Sequence, residues 1–436
     1  MQLDKNSNLK LLLSTATCSL FGNGAQAEED NNWKIDTALM YYGETDRVTA
    51  VEGIIAGTKE FSDEHFLNLK VTIDSLTGAS PNGAIAQPEV QTFTRPSGDG
   101  SYVVKSGETP LDDTFKDTRL QVNAQWSQPL GRSYLSSAGL HASKEYDYLS
   151  LGANASLSRY FNQKNTTVSL GVAYSNDTIE PEGGIPVPFT EVDWQQGAIE
   201  HTDDDFEDEE EDNNRASNKP TLGADDTKDT LDLLLGLSQV INRRMIMQFN
   251  YSYSQVDGYM TDPFKVISVV NSNGESQRQL YEQRPDSRTK ESVYWQTKYH
   301  FDRTVLDFSY RYMWDDWEIK SHTFDVRYYI PFYDGYLEPH VRYYMQEAAD
   351  FYRTFLLDNE STPEFASADY RVGEMDGLTL GIKYGVPLKD GKEFSFRLEF
   401  FQQTPTNPGF EEIGVLQDVE LFERVEAVIA QVSYSF

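Results

Sequence analysis

The sequence predicts an all-β protein, a transmembrane antiparallel β-barrel of about 16 strands. Apolar and polar residues alternate with a period of two along most of the chain, which is typical of strands with two different faces. The connections between these segments are alternately short and long. The chain also ends inside such a segment, AQVSYSF, on an aromatic residue. These three observations favour a barrel over a helical or mixed fold.

The N-terminus resembles a secretory signal peptide over residues 1–27. A basic start is followed by the apolar run LLLSTATCSLFG, and Ala25 and Ala27 offer a small-residue cleavage site. The barrel domain is then expected over 28–436. Lipoprotein processing at Cys18 is an alternative, but the residues before it suit a lipidation box poorly. Cys18 is the only cysteine, so no disulfide or thiolate site is expected after processing.

Composition excludes several classes of function. The formal net charge of −33 argues against nucleic-acid binding, which requires a basic surface. No stretch after the signal approaches the roughly 18 consecutive apolar residues of a membrane helix. The run DDDFEDEEED at 203–212 lacks the spacing and turn glycine of a calcium loop. It predicts a solvated extracellular loop over 177–228, and diffuse binding of divalent cations there stays open.

The connections between the predicted strands differ in length according to the end of the barrel at which they would lie. They lie near 33–44, 47–60, 65–77, 115–129, 133–146, 148–161, 165–176, 229–242, 244–258, 289–302, 304–315, 317–331, 335–349, 369–388, 392–404 and 422–436. If the N-terminus is periplasmic, every periplasmic turn is short. The long connections, which include 78–114, 259–288 and 405–421, are then all extracellular. An outer-membrane barrel requires this asymmetry, whereas a soluble β-sandwich does not.

The faces of the strands predict a charged lumen. In VYWQTKYHF at 293–301, apolar residues alternate with Gln, Lys and His. Because a charge facing the bilayer midplane costs about 2–4 kcal/mol, the charged set must face inward. The predicted lumen wall comprises Lys298, His300, Asp307, Arg311, Asp325, Arg327, Glu338, His340, Arg342, Lys383, Arg397 and Glu399. Trp126, Trp295, Trp314 and Trp317 are expected in aromatic girdles at the membrane surfaces.

The opposite wall is expected to be small and neutral, with Gln121, Asn123, Gln125, Ser150, Asn154, Ser156 and Ser169. Two interpretations of the charged wall stay open. Opposite charges can pair across strands and fill a wet interior. Alternatively, the wall binds or conducts a solute, or receives an inserted partner.

The C-terminal half resembles a known family. RPDSRTKES (284–292), YRYMWDDWEIKSHTFDVRYY (310–329), LEPHVRYYMQEAADFY (337–352) and ASADYRVGEMDGLTLGIKYG (366–385) are similar to a family of bacterial outer-membrane proteins classified only as a domain of unknown function. The resemblance implies no activity. Members tend to be encoded near a flavin transferase, a thioredoxin-like protein and a small lipoprotein, which implies a role in an envelope redox or maturation system.

The polar residues of these motifs are predicted to meet at the extracellular mouth. They are Arg284, Asp286, Arg288, Asp315, Asp316, His322, Gln346, Asp350, Asp369 and Arg371. His322 is expected to face inward, with a bulge after it turning Phe324 outward. The cluster is either a salt-bridged rim or a recognition site in which arginines grip a carboxylate or phosphate.

No catalytic motif is found, and the six histidines are scattered, so we expect neither an enzyme nor a cofactor or metal. The favoured function is a non-enzymatic pore or an export or assembly component in the outer membrane of a Gram-negative bacterium. A surface receptor or scaffold for a small lipoprotein or ligand is the alternative, and a hydrolase the third. The bilayer and the barrel-assembly machinery are expected partners, with Val432, Tyr434 and Phe436 as the assembly signal and a periplasmic C-terminus.

Overall fold

The computed structural model describes residues 33–61, 65–94, 101–192 and 221–436. The predicted signal peptide, with Cys18, Ala25 and Ala27, lies outside the described residues, as does the acidic run 203–212. Among the described residues, no helix has the length and apolar character needed to cross a bilayer. The helical turns that are present are short 3₁₀ segments at Tyr370–Val372, Lys389–Gly391 and Gly414–Asp418.

Sixteen strands form one closed antiparallel barrel. Strands are numbered along the chain, and those of the barrel are β1 (Trp33–Glu44), β2 (Val48–Glu60), β3 (Phe66–Pro81), β6 (Leu111–Leu130), β7 (Tyr134–Lys144), β8 (Tyr148–Phe161), β9 (Thr166–Ile179), β12 (Asp226–Asn242), β13 (Met245–Gly258), β16 (Ser287–His300), β17 (Val305–Asp315), β18 (Lys320–Phe332), β19 (Gly335–Gln346), β21 (Met375–Pro387), β22 (Glu393–Pro405) and β23 (Val425–Ser435). The seven shorter strands lie in the connections: β4 (Gln91–Thr94), β5 (Ser101–Val104), β10 (Ile185–Pro186), β11 (Thr221–Gly223), β14 (Val266–Val270), β15 (Ser276–Tyr281) and β20 (Leu356–Leu357). The predicted number and order of barrel strands are confirmed.

The last strand closes the barrel against the first. Asp36 of β1 lies opposite Ser435 of β23, and the register continues to Glu44 and Ala427. Phe436 follows the strand and donates its backbone N–H to the carbonyl of Ile35 at 2.8 Å. Closure pairs every barrel strand on both sides, so the barrel has no open edge with unsatisfied backbone groups.

The two ends of the barrel differ as predicted. At one end, which we name the turn end, residues such as 131–133, 243–244 and 333–334 connect the strands. At the other end, the loop end, the connections include 82–110, 180–225, 259–286, 347–374 and 406–424. The expected acidic loop 177–228 is shorter than predicted, because its first and last three residues belong to β9 and β12. The sorting of long and short connections by parity is therefore confirmed.

The outer face of the wall exposes apolar side chains. Examples on strands around the ring are Ile55, Val122, Leu151, Leu170, Leu233, Phe249, Val341, Leu380 and Leu398, each at least 37% exposed. Exposure of this kind is costly in water but suits lipid, and a lipid-facing apolar band is the hallmark of a membrane barrel. The structure therefore confirms the predicted transmembrane antiparallel β-barrel.

The long connections fold together at the loop end into one unit, which we name the cap. Its centre is the hub hairpin, formed by β14 and β15. Four other connections bond to this hairpin: Asn82 accepts from Val266, Phe189 donates to Tyr281, β20 pairs in parallel with β14, and Val415 donates to Asn273. These connections leave the barrel at points all around the ring. The cap therefore extends across the mouth instead of following one wall.

Nearly all the fully buried apolar side chains among the described residues lie in the connections at the loop end. One cluster contains Ile267, Val269, Leu280 and Ala366, and another contains Ile85, Val270 and Leu416. Ile267, Val270, Ala366 and Leu416 are 0% exposed. The cap thus has a packed core of the kind found in water-soluble domains, which the sequence analysis did not predict.

The structure corrects two of the predicted strand limits and one tryptophan. The segments predicted from 317 and 369 begin at Lys320 and Met375, because 316–319 is a turn and Tyr370–Val372 is a 3₁₀ helix. Trp317 is not part of a girdle, since it is 4% exposed and packs against Phe351 in the cap. It lies in a turn, whereas the prediction placed it at the start of a membrane-spanning strand.

His322 faces outward, and the inward prediction is wrong. The pairing of β17 with β18 runs without a shift from Lys320 to Tyr329, so no bulge separates His322 from Phe324. Both side chains lie on the lipid face, where the Tyr310 hydroxyl lies 2.8 Å from His322 Nδ1. His322 therefore does not belong to the mouth cluster.

Candidate functional site

The predicted lumen residues share one face of the wall, opposite the exposed apolar side chains. Along one rung, Lys298, Asp307, Arg327 and His340 lie opposite one another on successive strands, as cross-strand partners do. Several are ion-paired: Lys298 with Asp307 at 3.1 Å, Arg327 with Asp325 at 3.4 Å and Arg397 with Glu399 at 3.9 Å. Much of the charged wall is thus neutralised by its own side chains.

His340 joins two carboxylates at the centre of this wall. Its Nε2 lies 3.0 Å from Asp325 Oδ2, and its Nδ1 lies 2.9 Å from Glu399 Oε1. An ionised carboxylate only accepts hydrogen bonds, so both ring nitrogens donate when both carboxylates are charged. The group is then an imidazolium between two anions, with all three side chains less than a fifth exposed.

Gly381 makes this triad possible. His340, Gly381 and Glu399 lie on the same rung of three neighbouring strands. A Cβ at position 381 would lie 2.6 Å from Glu399 Cγ, closer than real Cβ contacts allow. The glycine therefore leaves the space through which the Glu399 side chain crosses β21 to reach His340.

Two arginines of the wall have no such partner. Among the residues that the structure describes, neither Arg311 nor Arg342 makes a hydrogen bond or an ion pair. Arg342 lies opposite Asp325, whose carboxylate is already engaged by His340. The charged wall is thus not completely self-satisfied, which leaves capacity for a solute.

The opposite wall is small and polar, as predicted. His141, which the sequence analysis did not single out, lies 2.9 Å from Asn123 Oδ1 and within 3.5 Å of Gln121. Ser158 and Ser169 pair at 2.8 Å. Gln125, Ser150, Asn154 and Ser156 lie on the same inner face of their strands. The lumen is therefore asymmetric: around these residues the wall is small and uncharged, and it carries the ion pair of Arg119 with Asp74 nearer the loop end.

At the loop end, three predicted mouth residues meet in a network that we name the latch. Asp369 Oδ2 lies 2.7 Å from Arg284 Nη2 and 2.6 Å from Arg371 Nη2. Two residues that the sequence analysis missed complete it. Asp262 lies 2.6 Å from Arg371, and Glu282 lies 2.7 Å from Arg284. The latch comprises Asp262, Glu282, Arg284, Asp369 and Arg371, and it ties connection 259–286 to connection 347–374.

Burial and charge shift the pKa values in the latch in opposite directions. Burial disfavours the Asp369 carboxylate, but Arg371 and Arg284 outweigh that effect and hold its pKa well below the usual range. Burial raises the pKa of Glu282 above its usual value, although Arg284 opposes the shift. Burial also lowers the pKa of Lys265 beside the latch, where the ammonium donates to the carbonyl of Pro81. Of these two carboxyl groups, Asp369 is therefore the more readily ionised.

A second pair of predicted residues organises the turn between β17 and β18. Arg288 Nη2 lies 2.5 Å from Asp315 Oδ2, and its guanidinium stacks over the Trp317 ring at 4.3 Å. The other oxygen of Asp315 accepts the backbone N–H groups of Trp317 and Ile319. Asp315 is thus consumed by the turn and by Arg288.

The remaining predicted mouth residues are also structural in their contacts. Asp316 accepts the N–H of Thr289 at 2.9 Å, and Gln346 donates to the carbonyls of Arg371 and Gly373. Asp286 and Asp350 are seen to bond through their backbones, to Gly258 and Trp317. The mouth cluster therefore supports the interpretation of a salt-bridged rim.

One group of carboxylates in the described part of the chain has donor atoms close enough to meet at a cation. Asp117, Glu145 and Asp147 place an oxygen each within 4.8 Å of one another at the loop end. Burial, followed by the neighbouring Asp117, raises the pKa of Glu145 to about 7. Arg119 lies 3.9 Å from Glu145 and offsets part of the repulsion.

A signal for the cap was present in the sequence. VISVV at 266–270 is uniformly apolar and β-branched, NSNG follows it as a turn, and a second extended segment comes next. This pattern is typical of a hairpin buried on both faces. Glu282, Lys265 and Ser367 carried no comparable signal, because their role depends on partners far away in the chain.

Comparisons with known proteins give a family and distant structural similarities. The family model described as "Protein of unknown function (DUF3570)" matches residues 10–436. No curated protein has a significant match to the chain. Three similar solved structures are a bacterial polysaccharide outer membrane secretin (9% identity, TM-score 0.42, 94% of this chain and 100% of that chain), the outer membrane protein opdK from Pseudomonas aeruginosa (10%, 0.38, 94% and 99%) and OprB from Pseudomonas putida (8%, 0.43, 93% and 94%). At this level of similarity, these structures do not indicate what this chain binds.

The family model spans nearly the whole chain, including the barrel and the cap. The protein therefore belongs to this family, whose description is a protein of unknown function, DUF3570.

Proposed function

We propose that the protein is a non-enzymatic pore of the outer membrane of a Gram-negative bacterium, with its loop end outside and its C-terminus in the periplasm. The observation that carries the proposal is the contrast between the two faces of one closed wall. The outer face exposes apolar side chains, and the inner face carries ion pairs and hydroxyls. A 16-stranded barrel is wide enough for an aqueous lumen.

The cap makes this a pore with a restricted mouth. The hub hairpin contacts connections from all around the ring, so solutes must pass beside the cap or displace it. The latch between connections 259–286 and 347–374 holds it in place. Passage would therefore depend on the strength of the latch. The export or assembly role in an envelope system, which the family resemblance implies, would be carried out by this pore.

Planar-bilayer conductance tests the proposal. We expect the purified wild-type barrel to conduct, and Asp369→Ala, which removes the carboxylate shared by Arg284 and Arg371, to conduct more or open more often. Lys320→Ala is the matched control, because it removes an exposed ion pair with Glu347 at the same end. If neither the wild type nor Asp369→Ala conducts at any voltage, the proposal of a pore is wrong.

A second candidate is a surface receptor or scaffold for a small lipoprotein or ligand, and the cap favours it. A packed core with side chains at 0% exposure is more structure than a mere loop barrier needs. Co-purification from the native membrane would separate the candidates. A stoichiometric partner that is lost when residues 259–286 are replaced by a short linker, with conductance unchanged, would favour the receptor.

The hydrolase alternative finds no support in the geometry. Ser367 Oγ donates to Glu282 Oε2 at 2.5 Å, which places a hydroxyl beside a carboxylate. Ser367 is 0% exposed and Glu282 is 1% exposed, so no substrate can reach them. We therefore assign this pair to the cap and not to catalysis.

A further inference from the structure

A cavity of about 270 Å³ opens on the inner wall where β21, β22 and β23 meet β1 and β2. One side of it is apolar, formed by Ala38, Ile54 and Ala56. The other side is polar, formed by Lys383, Ser395, Arg397, Gln431 and Ser433. The cavity thus combines a small apolar surface with a group of hydrogen-bond donors, which is the usual composition of a binding pocket for a small organic molecule.

The acidic groups of this cavity already have partners. Glu393 accepts the Tyr336 hydroxyl at 2.7 Å and lies 3.4 Å from Lys383. Asp36 accepts the hydroxyl of Ser435. Each of these carboxylates thus already accepts a hydroxyl, and Glu393 also has a cation beside it.

Arg397 is in the opposite situation. Its nearest carboxylate is Glu399, whose oxygen lies 3.9 Å from Arg397 Nε and is already bonded to His340. Within the described residues, the guanidinium makes no hydrogen bond, and its side chain, which lines the cavity, is 32% exposed. An arginine carries five N–H donors in a planar fork, so most of its capacity is unused.

The register adds a second cation. Lys383 lies directly opposite Arg397 on the same inner face. Like charges in directly opposite positions destabilise a sheet, and an anion bound between them relieves the repulsion. A planar carboxylate matches the guanidinium fork with two parallel hydrogen bonds.

We propose that this cavity is a lumen subsite for a small organic carboxylate, an inference that rests on the proposed pore. Arg397 binds the carboxylate in bidentate fashion, and Lys383 adds positive charge. Ser395, Ser433 and Gln431 surround the anion with polar groups, and Ala38, Ile54 and Ala56 contact its short apolar body. The subsite gives the pore a preference for carboxylates over neutral molecules of the same shape.

Equilibrium binding to the full-length barrel in lipid nanodiscs tests the subsite. Isobutyrate is the probe, isobutyramide is its neutral match, and empty nanodiscs give the background in saturation-transfer NMR. We expect isobutyrate to bind and isobutyramide not to bind. Arg397→Gln should weaken isobutyrate binding about tenfold, because a charge-assisted bidentate contact is lost.

Two further variants keep the test decisive. Arg119→Gln is the matched control, since Arg119 is a lumen arginine that lies 2.8 Å from Asp74, outside the cavity. We expect the affinity of this variant for isobutyrate to stay within about twofold of that of the wild type. Ala56→Leu fills the cavity without changing any charge and should also abolish binding. Equal binding of the acid and the amide, or unchanged binding in either Arg397→Gln or Ala56→Leu, overturns the subsite.

The outcome for the subsite can be separated from the outcome for the pore. If isobutyrate binds in an Arg397-dependent manner but the barrel does not conduct in bilayers, the subsite stands and the pore fails. If the barrel conducts but isobutyrate binding does not depend on Arg397, the pore stands and the subsite fails.

Discussion

The barrel wall and the cap are built from the same kinds of residue but are stabilised in different ways. The wall is one strand thick, so its side chains face either lipid or lumen and few are fully buried. The cap encloses side chains such as Ile267 and Leu416 at 0% exposure. The stability of the wall therefore depends on closure of the barrel and on contact with lipid outside and water inside. The stability of the cap depends on an apolar core and a buried ionic network.

Because of this difference, the cap and the barrel wall can lose their structure independently. A change in the latch removes contacts between connections but breaks no pairing of the barrel ladder. A change on the outer face of a strand affects insertion into lipid without touching the cap. Variants that act on one region only can therefore show whether the cap and the barrel unfold independently.

The largest effect is expected for Asp369→Ala. The substitution removes the buried carboxylate that Arg284 and Arg371 share and leaves each arginine with one partner, Glu282 or Asp262. Because breaking a buried ion pair typically costs about 3–5 kcal/mol and both arginines keep a partner, we expect the cost to lie at or below this range. We expect the cap to open locally while the barrel stays folded. Limited trypsin digestion should cut connections 259–286 and 347–374 rapidly, and heat-modifiable migration on gels should be retained.

Lys320→Ala is the control for this prediction, because the Lys320–Glu347 pair is exposed and is worth about 0–1 kcal/mol. It should leave the digestion pattern unchanged. If Asp369→Ala abolishes heat-modifiable migration, the cap and the barrel form one cooperative unit and do not unfold independently.

The next effect separates the two faces of the wall. Val172→Arg places a charge on the lipid face near the middle of β9 and should cost about 2–4 kcal/mol. Ala173→Arg, one residue on, points into the lumen opposite Asp232 and should be tolerated. Urea-induced unfolding in lipid vesicles measures both. Equal destabilisation by the two variants would contradict the assignment of faces.

A smaller effect tests the space that the His340 triad needs. Gly381→Ala places a Cβ against Glu399 and should cost about 1–3 kcal/mol through overpacking and loss of the His340 contact. Gly377→Ala is its control, on the same face of the same strand, where the nearest atom, Tyr344 Cβ, lies at an ordinary 3.5 Å. The same urea titration applies. A similar loss in both variants would assign the cost to glycine replacement in general.

The sequence predicted the wall well because each barrel strand has lipid on one face and the aqueous lumen on the other, and this imposes a period of two on its residues. β1 and β8 begin and end at the predicted residues, and the inner face of β16 carries Lys298 and His300 as expected. Prediction failed where this constraint ends. The His322 prediction extended the alternation of residues 318 and 320 into the strand, but 316–319 is a turn that does not preserve it. The Trp317 prediction placed that residue in a strand that begins only at Lys320.

The cap could not be predicted because its contacts are between distant connections. Arg284, Asp369 and Arg371 were placed at the mouth correctly, yet Asp262 and Glu282 were missed. VISVV does predict a buried strand, but nothing local indicates that Ser268 within it has a partner 183 residues earlier, Ile85, whose N–H donates to the Ser268 hydroxyl. A local sequence pattern shows which face of a strand each side chain occupies, but it does not show which distant connections contact one another.

The smallest effect concerns Glu145, whose raised pKa contrasts with the lowered pKa of Asp369. Burial and the nearby Asp117 raise the Glu145 pKa to about 7, so its ionisation opposes folding. The cost is absent below the usual carboxylate range, grows as the pH rises towards 7, and is constant above it. Glu145→Gln should remove this cost and stabilise the barrel at pH 8 by less than about 1 kcal/mol, since the group is partly exposed. The opposite dependence is expected for Asp369, whose contribution is lost as the pH falls.

Midpoints of the heat-modifiable transition, measured from pH 4 to pH 8 for wild type and Glu145→Gln, test the Glu145 prediction. The two curves should coincide near pH 4 and separate as the pH rises, because only the wild type then carries the third carboxylate charge beside Asp117 and Asp147. Glu360→Gln, which changes an exposed carboxylate of the cap, controls for the loss of one charge. A difference between wild type and Glu145→Gln that is independent of pH would show that packing, not ionisation, separates them.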